Sequence, residues 1–282
     1  MKIGVFAPGA AGDLLVSTAL LPYKDKLWPG ADIIWFAQTQ YVDLLSGNPH
    51  LAEIREWTGF DNRVLRTEHN CLNQERKGQY APVSDLDDGY FTTPWLVGAA
   101  HWGVPYSRVP KVICGVPDEW PWHPVVEWTP EEESGAEQFA RSLGPGRLVM
   151  LETVMKSNQG SWNDSTTSLV MRLCRQKGDC TFIFASKGDH SRFRGFGRIA
   201  ECNNFTLRQL VPIYNRCHAF FGCASGVSVV TCCHKASPKV VRGIYVGCEN
   251  YGCIGIATGL NLEAYKAEHV EALAEDVLCR IK

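Results

Sequence analysis

The chain has 282 residues, of which 45% are hydrophobic and 21% are charged. These are the proportions of a globular protein, and the length suits two domains better than one small domain. With 28 basic and 30 acidic residues the formal charge is -2, which disfavours nucleic acid as a partner, because such partners are bound by neutralising phosphates. No run approaches the roughly 18–20 uninterrupted apolar residues of a membrane span.

The first half alternates apolar runs with helical patterns. A strand is predicted at 3–7, and the apolar spacing after the next turn predicts a helix, which Pro22 should kink or shorten. A second strand is predicted at 32–37, a short helix at 40–46 and a further helix at 93–103. This alternation favours βαβ units with a mostly parallel sheet.

Residues 115–130 hold four Pro and three Trp, which predicts a linker whose aromatic side chains anchor it to the body of the protein. The capping-box sequence that starts at Thr129 predicts a helix over 130–142. We place the domain boundary in this region, with an N-terminal domain at 1–125 and a C-terminal domain at 126–282.

The second half repeats the alternation and predicts another α/β domain of similar size. The predicted strands are 147–151, 181–185, 219–222 and 239–246. The predicted helices are 163–177, a helix that starts at 206, 227–235 and 262–280.

The opening MKIGVFAPG is too short for a secretory signal and is typical of a first strand. We therefore expect a cytoplasmic protein, and contact with the inner membrane surface stays an open alternative. The twelve cysteines are then expected to be reduced, buried and apolar in role. A metal site is the alternative, built from some of these residues: Cys223, Cys232, Cys233, His234, Cys248 and Cys253. No Cys-x-x-Cys pair occurs, so the sequence favours neither a metal nor a cofactor.

Three turns between a strand and a helix carry candidate ligand-binding residues. In the first, the small residues Gly9, Ala11 and Gly12 let a ligand approach the backbone, and the helix N-terminus favours an anion. Asp13 follows at the carboxyl edge of a parallel sheet, where ligands bind, and is a catalytic candidate. The alternative is that Asp13 only caps its own helix, which the helix dipole also favours.

The other two turns lie in the second half. The loop after the strand at 147–151 offers these side chains for a phosphate or a pocket wall: Glu152, Lys156, Ser157, Gln159 and Trp162. The small-residue turn near 225 offers a hydroxyl and successive backbone N–H groups that suit a diphosphate, from Ser225, Gly226, Val227 and Ser228. The alternatives are an ordinary surface loop and a tight turn that only needs small side chains.

The segments MKIGVFAPGAAGDLLVSTALLP and WPGADIIWFAQTQYVDLLSGNPHLAEI resemble the opening of the family 9 glycosyltransferases, the heptosyltransferase family. That family shares the P-G-x-x-G-D turn, the PxAxI strand and the LLxxNP segment. The second half is similar more loosely, since FFGCASGVS matches the family's DSG-type loop.

The resemblance implies a GT-B architecture, in which two Rossmann-like α/β domains face each other across a cleft. The N-terminal domain would take a glycan or lipopolysaccharide-type acceptor and the C-terminal domain a nucleotide-sugar donor. It also implies an inverting, metal-independent transfer without a cofactor, with Asp13 as the general base.

Three positions depart from the family pattern. Ala224 stands at the acidic position of the DSG loop and Val229 stands near its His, while Gly160 has the spacing of the donor-side Lys. Lys156 lies near that last position. These departures keep a second hypothesis open, a nucleotide- or glycan-binding protein of the same fold without activity.

Overall fold

The structure is a computed structural model that describes residues 1–6, 10–56, 90–92, 117, 119–154, 162–223, 225–245 and 263–265. The chain forms two compact units, Met1–Glu127 and Trp128–Lys282. In the ranges given above, no helix is both long enough and apolar enough to cross a bilayer.

The first unit is built on a parallel sheet. Its described strands are β1 (Lys2–Phe6), β2 (Asp32–Ala37), β3 (Glu53–Glu56) and β4 (Tyr90–Thr92). They lie in the order β3-β2-β1-β4, and each neighbouring pair is parallel. β2 is buried from Ile33 onward, as expected for a parallel strand that is covered on both faces.

Short helices connect β1, β2 and β3. They are α1 (Ala11–Thr18), α2 (Lys24–Leu27) and α3 (Val42–Leu45), with 3-10 turns at Leu21–Tyr23 and Thr39–Tyr41. Pro22 lies in the first turn of the 3-10 segment between α1 and α2. Because proline has no N–H to donate, it is tolerated there but not inside a helix. The predicted shortening at Pro22 is confirmed.

The segment rich in Pro and Trp packs on the first unit. The rings of Trp120 and Tyr23 stack with their centroids 4.6 Å apart, and Lys26 Nζ lies 3.8 Å from the centroid of Trp120. The backbone N–H of Val125 donates to Thr18 Oγ1 at 2.8 Å, inside the unit. The aromatic anchoring expected from the sequence is confirmed.

The second unit contains a larger parallel sheet. Its described strands are β5 (Arg147–Glu152), β6 (Cys180–Phe184), β7 (Arg198–Glu201), β8 (Ala219–Cys223), β9 (Val241–Tyr245) and β10 (Glu263–Tyr265). The order is β10-β9-β8-β5-β6-β7, so the chain builds outward from β5 on one side and then from β8 on the other. This is the 3-2-1-4-5-6 order of dinucleotide-binding sheets, in which ligands bind where the order reverses.

The described helices of the second unit are α4 (Pro130–Ser142), α5 (Asp164–Gln176), α6 (Leu210–Tyr214) and α7 (Gly226–Val230), with a 3-10 segment at Ser191–Phe196. α4 begins as predicted. Glu132 N–H donates to Thr129 Oγ1 at 3.3 Å, and Thr129 N–H donates to Glu132 Oε2 at 2.8 Å, which completes the capping box.

A continuous apolar core lies between α5 and one face of this sheet. Its members come from α5, the strands β5, β6 and β8, and two flanking segments: Val149, Leu151, Trp162, Val170, Met171, Cys174, Cys180, Phe182, Phe184, Phe193, Ala219, Phe221 and Cys223. The core therefore holds β5 and β8 side by side, and their carboxyl ends lie at the point where the strand order reverses.

Some predicted elements differ from the structure. The predicted helix at 262–280 is wrong at its start, because Glu263–Tyr265 pairs with β9 as a parallel strand, and sheet pairing overrides the local pattern. The helix predicted at 227–235 ends at Val230, where consecutive β-branched residues have low helix propensity. The predicted helix at 93–103 and the remainder of the C-terminal one lie outside the described residues.

Candidate functional site

Asp13 lies in the first turn of α1, directly after the carboxyl end of β1. The backbone N–H of Ala10 donates to Asp13 Oδ2 at 2.7 Å, which satisfies one of the N–H groups that a helix start leaves open. The capping role that the sequence allowed is therefore present. It occupies Oδ2 and holds the half-buried carboxylate against the start of the helix.

Tyr41 brings a second polar group to the same turn. Burial, followed by the negative charge of Asp13, raises the pKa of Tyr41, whose hydroxyl also bonds the backbone of Ala11 and the side chain of Gln40. The phenol therefore stays protonated near neutral pH. The sequence analysis missed Tyr41, because it lies in a separate 3-10 turn after β2 whose position beside α1 depends on the sheet order.

The three small residues of this turn are placed only in part. Ala11 and Gly12 are the first two residues of α1, while Gly9 lies outside the described residues. Gly12 is not among the glycines with positive φ, so its conformation is an ordinary helical one. The space that these residues leave for a ligand backbone contact stays a prediction.

Glu152 is the last residue of β5 and is only 3% exposed. Burial raises the pKa of this carboxyl to about 8, and a hydrogen bond with the backbone of Val154 opposes the rise. Among the described residues, Oε2 has no hydrogen-bond partner. Burial therefore favours the neutral carboxylic acid form of Glu152 near pH 7, and the described part of the chain leaves one of its oxygens unsatisfied.

Gly222 makes room for this side chain. It is the register partner of Glu152 across the β5–β8 pair. A Cβ at position 222 would lie 2.7 Å from Glu152 Cβ and 2.9 Å from the Phe220 ring, closer than real Cβ atoms approach, and a tight 3.1 Å from the Glu152 carbonyl oxygen. The glycine is thus required by a close approach between neighbouring strands at the point where the strand order reverses.

The turn after β8 forms a second capping box. Ser225 Oγ accepts the N–H groups of Val227 at 3.1 Å and of Ser228 at 3.4 Å. Ser228 Oγ in turn accepts the N–H of Ser225 at 2.9 Å. The backbone N–H groups of this turn were predicted to bind a diphosphate. In this structure, all of them except that of Gly226 donate to the two serine side chains instead.

The loop after β5 is described only at its ends. Lys156, Ser157 and Gln159 lie outside the described residues, so their part in a donor site stays a prediction. Trp162 is buried in the core of the second unit, and its Nε1–H donates to Thr167 Oγ1 at 2.9 Å. This placement favours a packing role for Trp162 over stacking on a ligand.

A polar chain that the sequence analysis missed joins the ends of three strands. Thr153 Oγ1 lies 3.4 Å from Ser186 Oγ, which lies 3.4 Å from His190 Nε2. Glu201 Oε1 lies 3.5 Å from His190 Nδ1 and accepts the His190 backbone N–H at 2.9 Å. Burial lowers the pKa of His190. These residues are far apart in sequence, and only the β5-β6-β7 order brings them to one edge of the sheet.

The cysteines among the described residues are buried, as expected: Cys174, Cys180, Cys202, Cys217, Cys223, Cys232 and Cys233. Burial raises the pKa of the Cys202 thiol to about 12 and that of Cys232 to about 11, so both stay protonated. Two members of the alternative metal site, Cys248 and Cys253, lie outside the described residues, so that alternative stays untested.

The fold is similar to solved structures of glycosyltransferases. It superposes on a family 9 glycosyl transferase from Veillonella parvula DSM 2008 with a TM-score of 0.68 and 16% identity, over 99% of this chain and 97% of the other. For E. coli ADP-heptose lps heptosyltransferase II, the TM-score is 0.59 at 14% identity, over 99% and 97% of the two chains.

A third structure, E. coli heptosyltransferase WaaC with ADP, gives a TM-score of 0.58 at 13% identity, over 100% of this chain and 99% of the other. No family sequence model and no curated protein sequence matches the chain. At identities this low, the structural match establishes the fold alone. The chain therefore has the α/β fold of the GT-B type with two Rossmann-like domains, and its resemblance to the family 9 glycosyltransferases is confirmed in three dimensions.

Proposed function

We propose that this protein is an inverting glycosyltransferase. It moves a sugar, with heptose as the first candidate, from a nucleotide diphosphate sugar to a hydroxyl of a glycan or lipopolysaccharide-type acceptor. The observation that carries the proposal is the match over nearly the full length of heptosyltransferases, one of which holds ADP. The first unit would take the acceptor, at a membrane surface where the acceptor carries a lipid, and the second unit would take the donor.

Asp13 acts as the general base in this proposal. It takes the proton of the acceptor hydroxyl as that oxygen attacks the anomeric carbon from the face opposite the leaving nucleotide. The bond from Ala10 N–H to Oδ2 fixes the carboxylate at the carboxyl edge of the first sheet, where ligands of such sheets bind. A positioned base of this kind contributes about 10²–10⁴ in rate.

The second unit stabilises the leaving nucleoside diphosphate without a metal ion. Lys156 supplies positive charge, and hydroxyls and N–H groups of Ser157 and the turn at 225–228 supply hydrogen bonds. Ser225 Oγ already bonds two of these N–H groups. Donor binding would therefore be accompanied by rotation of the Ser225 side chain.

The test replaces Asp13 by Asn. The Asn side-chain oxygen still accepts the Ala10 N–H and keeps the helix cap, while the base is lost. We expect turnover, followed as nucleoside diphosphate released from a panel of nucleotide sugars with candidate acceptors, to fall by about 10²–10⁴-fold. ADP affinity by calorimetry and the thermal midpoint should match wild type. Unchanged turnover of Asp13→Asn with ADP binding intact would remove Asp13 from the mechanism. In a separate assay, EDTA should leave the turnover of wild type unchanged if the reaction needs no metal.

A binding protein without activity is the second candidate. It is favoured by the occupied N–H groups of the 225–228 turn and by Ala224, which stands where the family has an acidic residue. This candidate predicts that ADP or a nucleotide sugar binds and that no product forms across a broad acceptor panel. Product formation that depends on Asp13 excludes it.

A further inference from the structure

The carboxyl group of Glu152 is the most deeply buried acid at either sheet edge described above. It is 3% exposed, and among the described residues its Oε2 makes no hydrogen bond. A buried polar atom without a partner costs about 1–3 kcal/mol, so an unpaired acid at a ligand-binding end of a sheet points to a partner outside the described residues. Asn163, at the start of α5, shows the contrasting case, since its side chain is used in capping.

The position of Glu152 is that of a ligand-binding residue. It ends β5, and β5 and β8 are the two strands between which the order of the second sheet reverses. The crevice outside the carboxyl ends of such strands holds the ligand in doubly wound sheets. Gly222 lets β8 approach β5 closely beside Glu152, and the N-cap Ser225 lies three residues further along the chain.

The surroundings of Glu152 hold it in the neutral form. Within the described residues, no Lys, Arg or His forms an ion pair with it. Among the described residues, Cys223 of β8 senses the charge of Glu152, and burial keeps its thiol protonated. His190 lies on the same edge, reached from Thr153 through Ser186, and burial lowers its pKa, so it is neutral at pH 7–9.

We propose that Glu152 binds the diphosphate of the nucleotide donor as a neutral carboxylic acid, donating its O–H to a phosphate oxygen. The inference rests on the proposed donor site in the second unit. A carboxylate at this place would repel a diphosphate, whereas a carboxylic acid donates to it. Glu152 keeps its proton during transfer: the acceptor proton goes to Asp13, and the electron pair of the broken C–O bond goes to the leaving phosphate.

The sign of the pH dependence follows from this charge state. Raising the pH ionises Glu152 in the free protein and removes the O–H that it would donate to the phosphate, so ADP affinity should fall. With ionisation near pH 8, the protonated fraction drops about tenfold between pH 7 and pH 9, and the ADP association constant should drop by a similar factor. Because Glu152 is protonated in the complex but mostly ionised in the free protein at pH 8.5, binding of ADP at that pH should be accompanied by uptake of about 0.8 proton.

The experiment measures ADP binding by calorimetry from pH 6.5 to pH 9.5, with wild type, Glu152→Gln and the control Glu137→Gln. Gln donates an N–H at every pH, so its affinity should be flat where wild type declines, after the shared titration of ADP is subtracted. Glu137 lies on α4 beside Arg141, and its variant should follow wild type. Proton uptake is read on wild type alone, from two buffers of different ionisation enthalpy, and needs no variant.

Parallel pH profiles for wild type and Glu152→Gln, or binding of ADP at pH 8.5 without proton uptake, would overturn the inference while leaving the proposed function intact. If neither ADP, UDP nor GDP binds wild type at any pH, the proposed function and the inference fail together. A decline of ADP affinity near pH 8 in wild type that is absent in Glu152→Gln, together with proton uptake by wild type, supports the inference.

Discussion

Replacing Glu152 by Gln should stabilise the protein, and the gain should grow with pH. Glu152 is buried at the end of β5, and burial raises its pKa from 4.5 to about 8. Gln has nearly the same shape and does not ionise. The folded wild type must keep this acid protonated, or bury its charge, at pH values where the unfolded chain has already released the proton.

The size of the effect follows from that difference. In the unfolded chain the carboxyl ionises near pH 4.5, and in the folded chain near pH 8, so the folded state holds more protons between these values. Wild-type stability therefore falls as pH rises through this window, by about 1.4 kcal/mol per pH unit. The total is about 5 kcal/mol at and above pH 8, and about 3 kcal/mol at pH 7. Below pH 4.5 the contribution vanishes.

Urea unfolding at a series of pH values from 4.5 to 8.5 measures this directly. The quantity to follow is the free energy of unfolding of Glu152→Gln minus that of wild type, because the titration of all other groups cancels in the difference. It should rise with pH and level off above pH 8. Glu137→Gln, at a half-exposed position of α4, should show no comparable rise. A difference for Glu152→Gln that does not change with pH would refute the assignment of a neutral buried acid.

Two further substitutions test the packing of the second unit. Gly222→Ala should destabilise the second unit by about 1–3 kcal/mol, because the new Cβ clashes with the Glu152 backbone and no side-chain rotation relieves the clash. The control Gly135→Ala in α4, where a Cβ meets nothing, should stabilise the protein by about 1 kcal/mol. Equal effects of the two substitutions in urea unfolding would contradict the steric argument. Arg208 pairs with Glu132 at 2.7 Å, and both side chains are only about 10% exposed. Arg208→Met should therefore lower the free energy of unfolding by about 3–5 kcal/mol, because it leaves the buried Glu132 carboxylate without this partner. A urea midpoint within error of wild type would show that Glu132 is adequately solvated without Arg208.

Local sequence patterns predicted most of the fold. Alternating apolar runs located β1, β2, β5 and β6 to within about two residues, since buried parallel strands must be apolar throughout. Capping chemistry located α4, because Thr129 and Glu132 satisfy each other within one turn. The failures are elements whose cause is not local. Glu263–Tyr265 is a strand because β9 offers an open edge, which no pattern in those three residues encodes.

The residues of the candidate site were predictable only where all the residues on which the prediction depends lie within one turn of the chain. Asp13 and Ser225 were found because each follows a strand and begins a helix. The unsatisfied burial of Glu152 was not foreseen, since it depends on Gly222 in a neighbouring strand 70 positions later. Tyr41 was missed for the same reason, because its place beside Asp13 depends on the pairing of β1 with β2.

Two of the three turns that carry candidate ligand-binding residues use those same residues to cap the start of a helix. Asp13 holds the Ala10 N–H, and Ser225 holds two N–H groups of α7. Alanine substitutions at these positions remove a cap, worth about 0.5–2 kcal/mol, together with any ligand contact, so a loss of activity in Asp13→Ala does not distinguish the two roles. Asn at position 13 does, because it preserves the acceptor for Ala10 and removes only the ability to take a proton. The capping bond is thus compatible with a base at Asp13, and what separates the two roles is whether turnover depends on the proton affinity of that side chain or only on its shape.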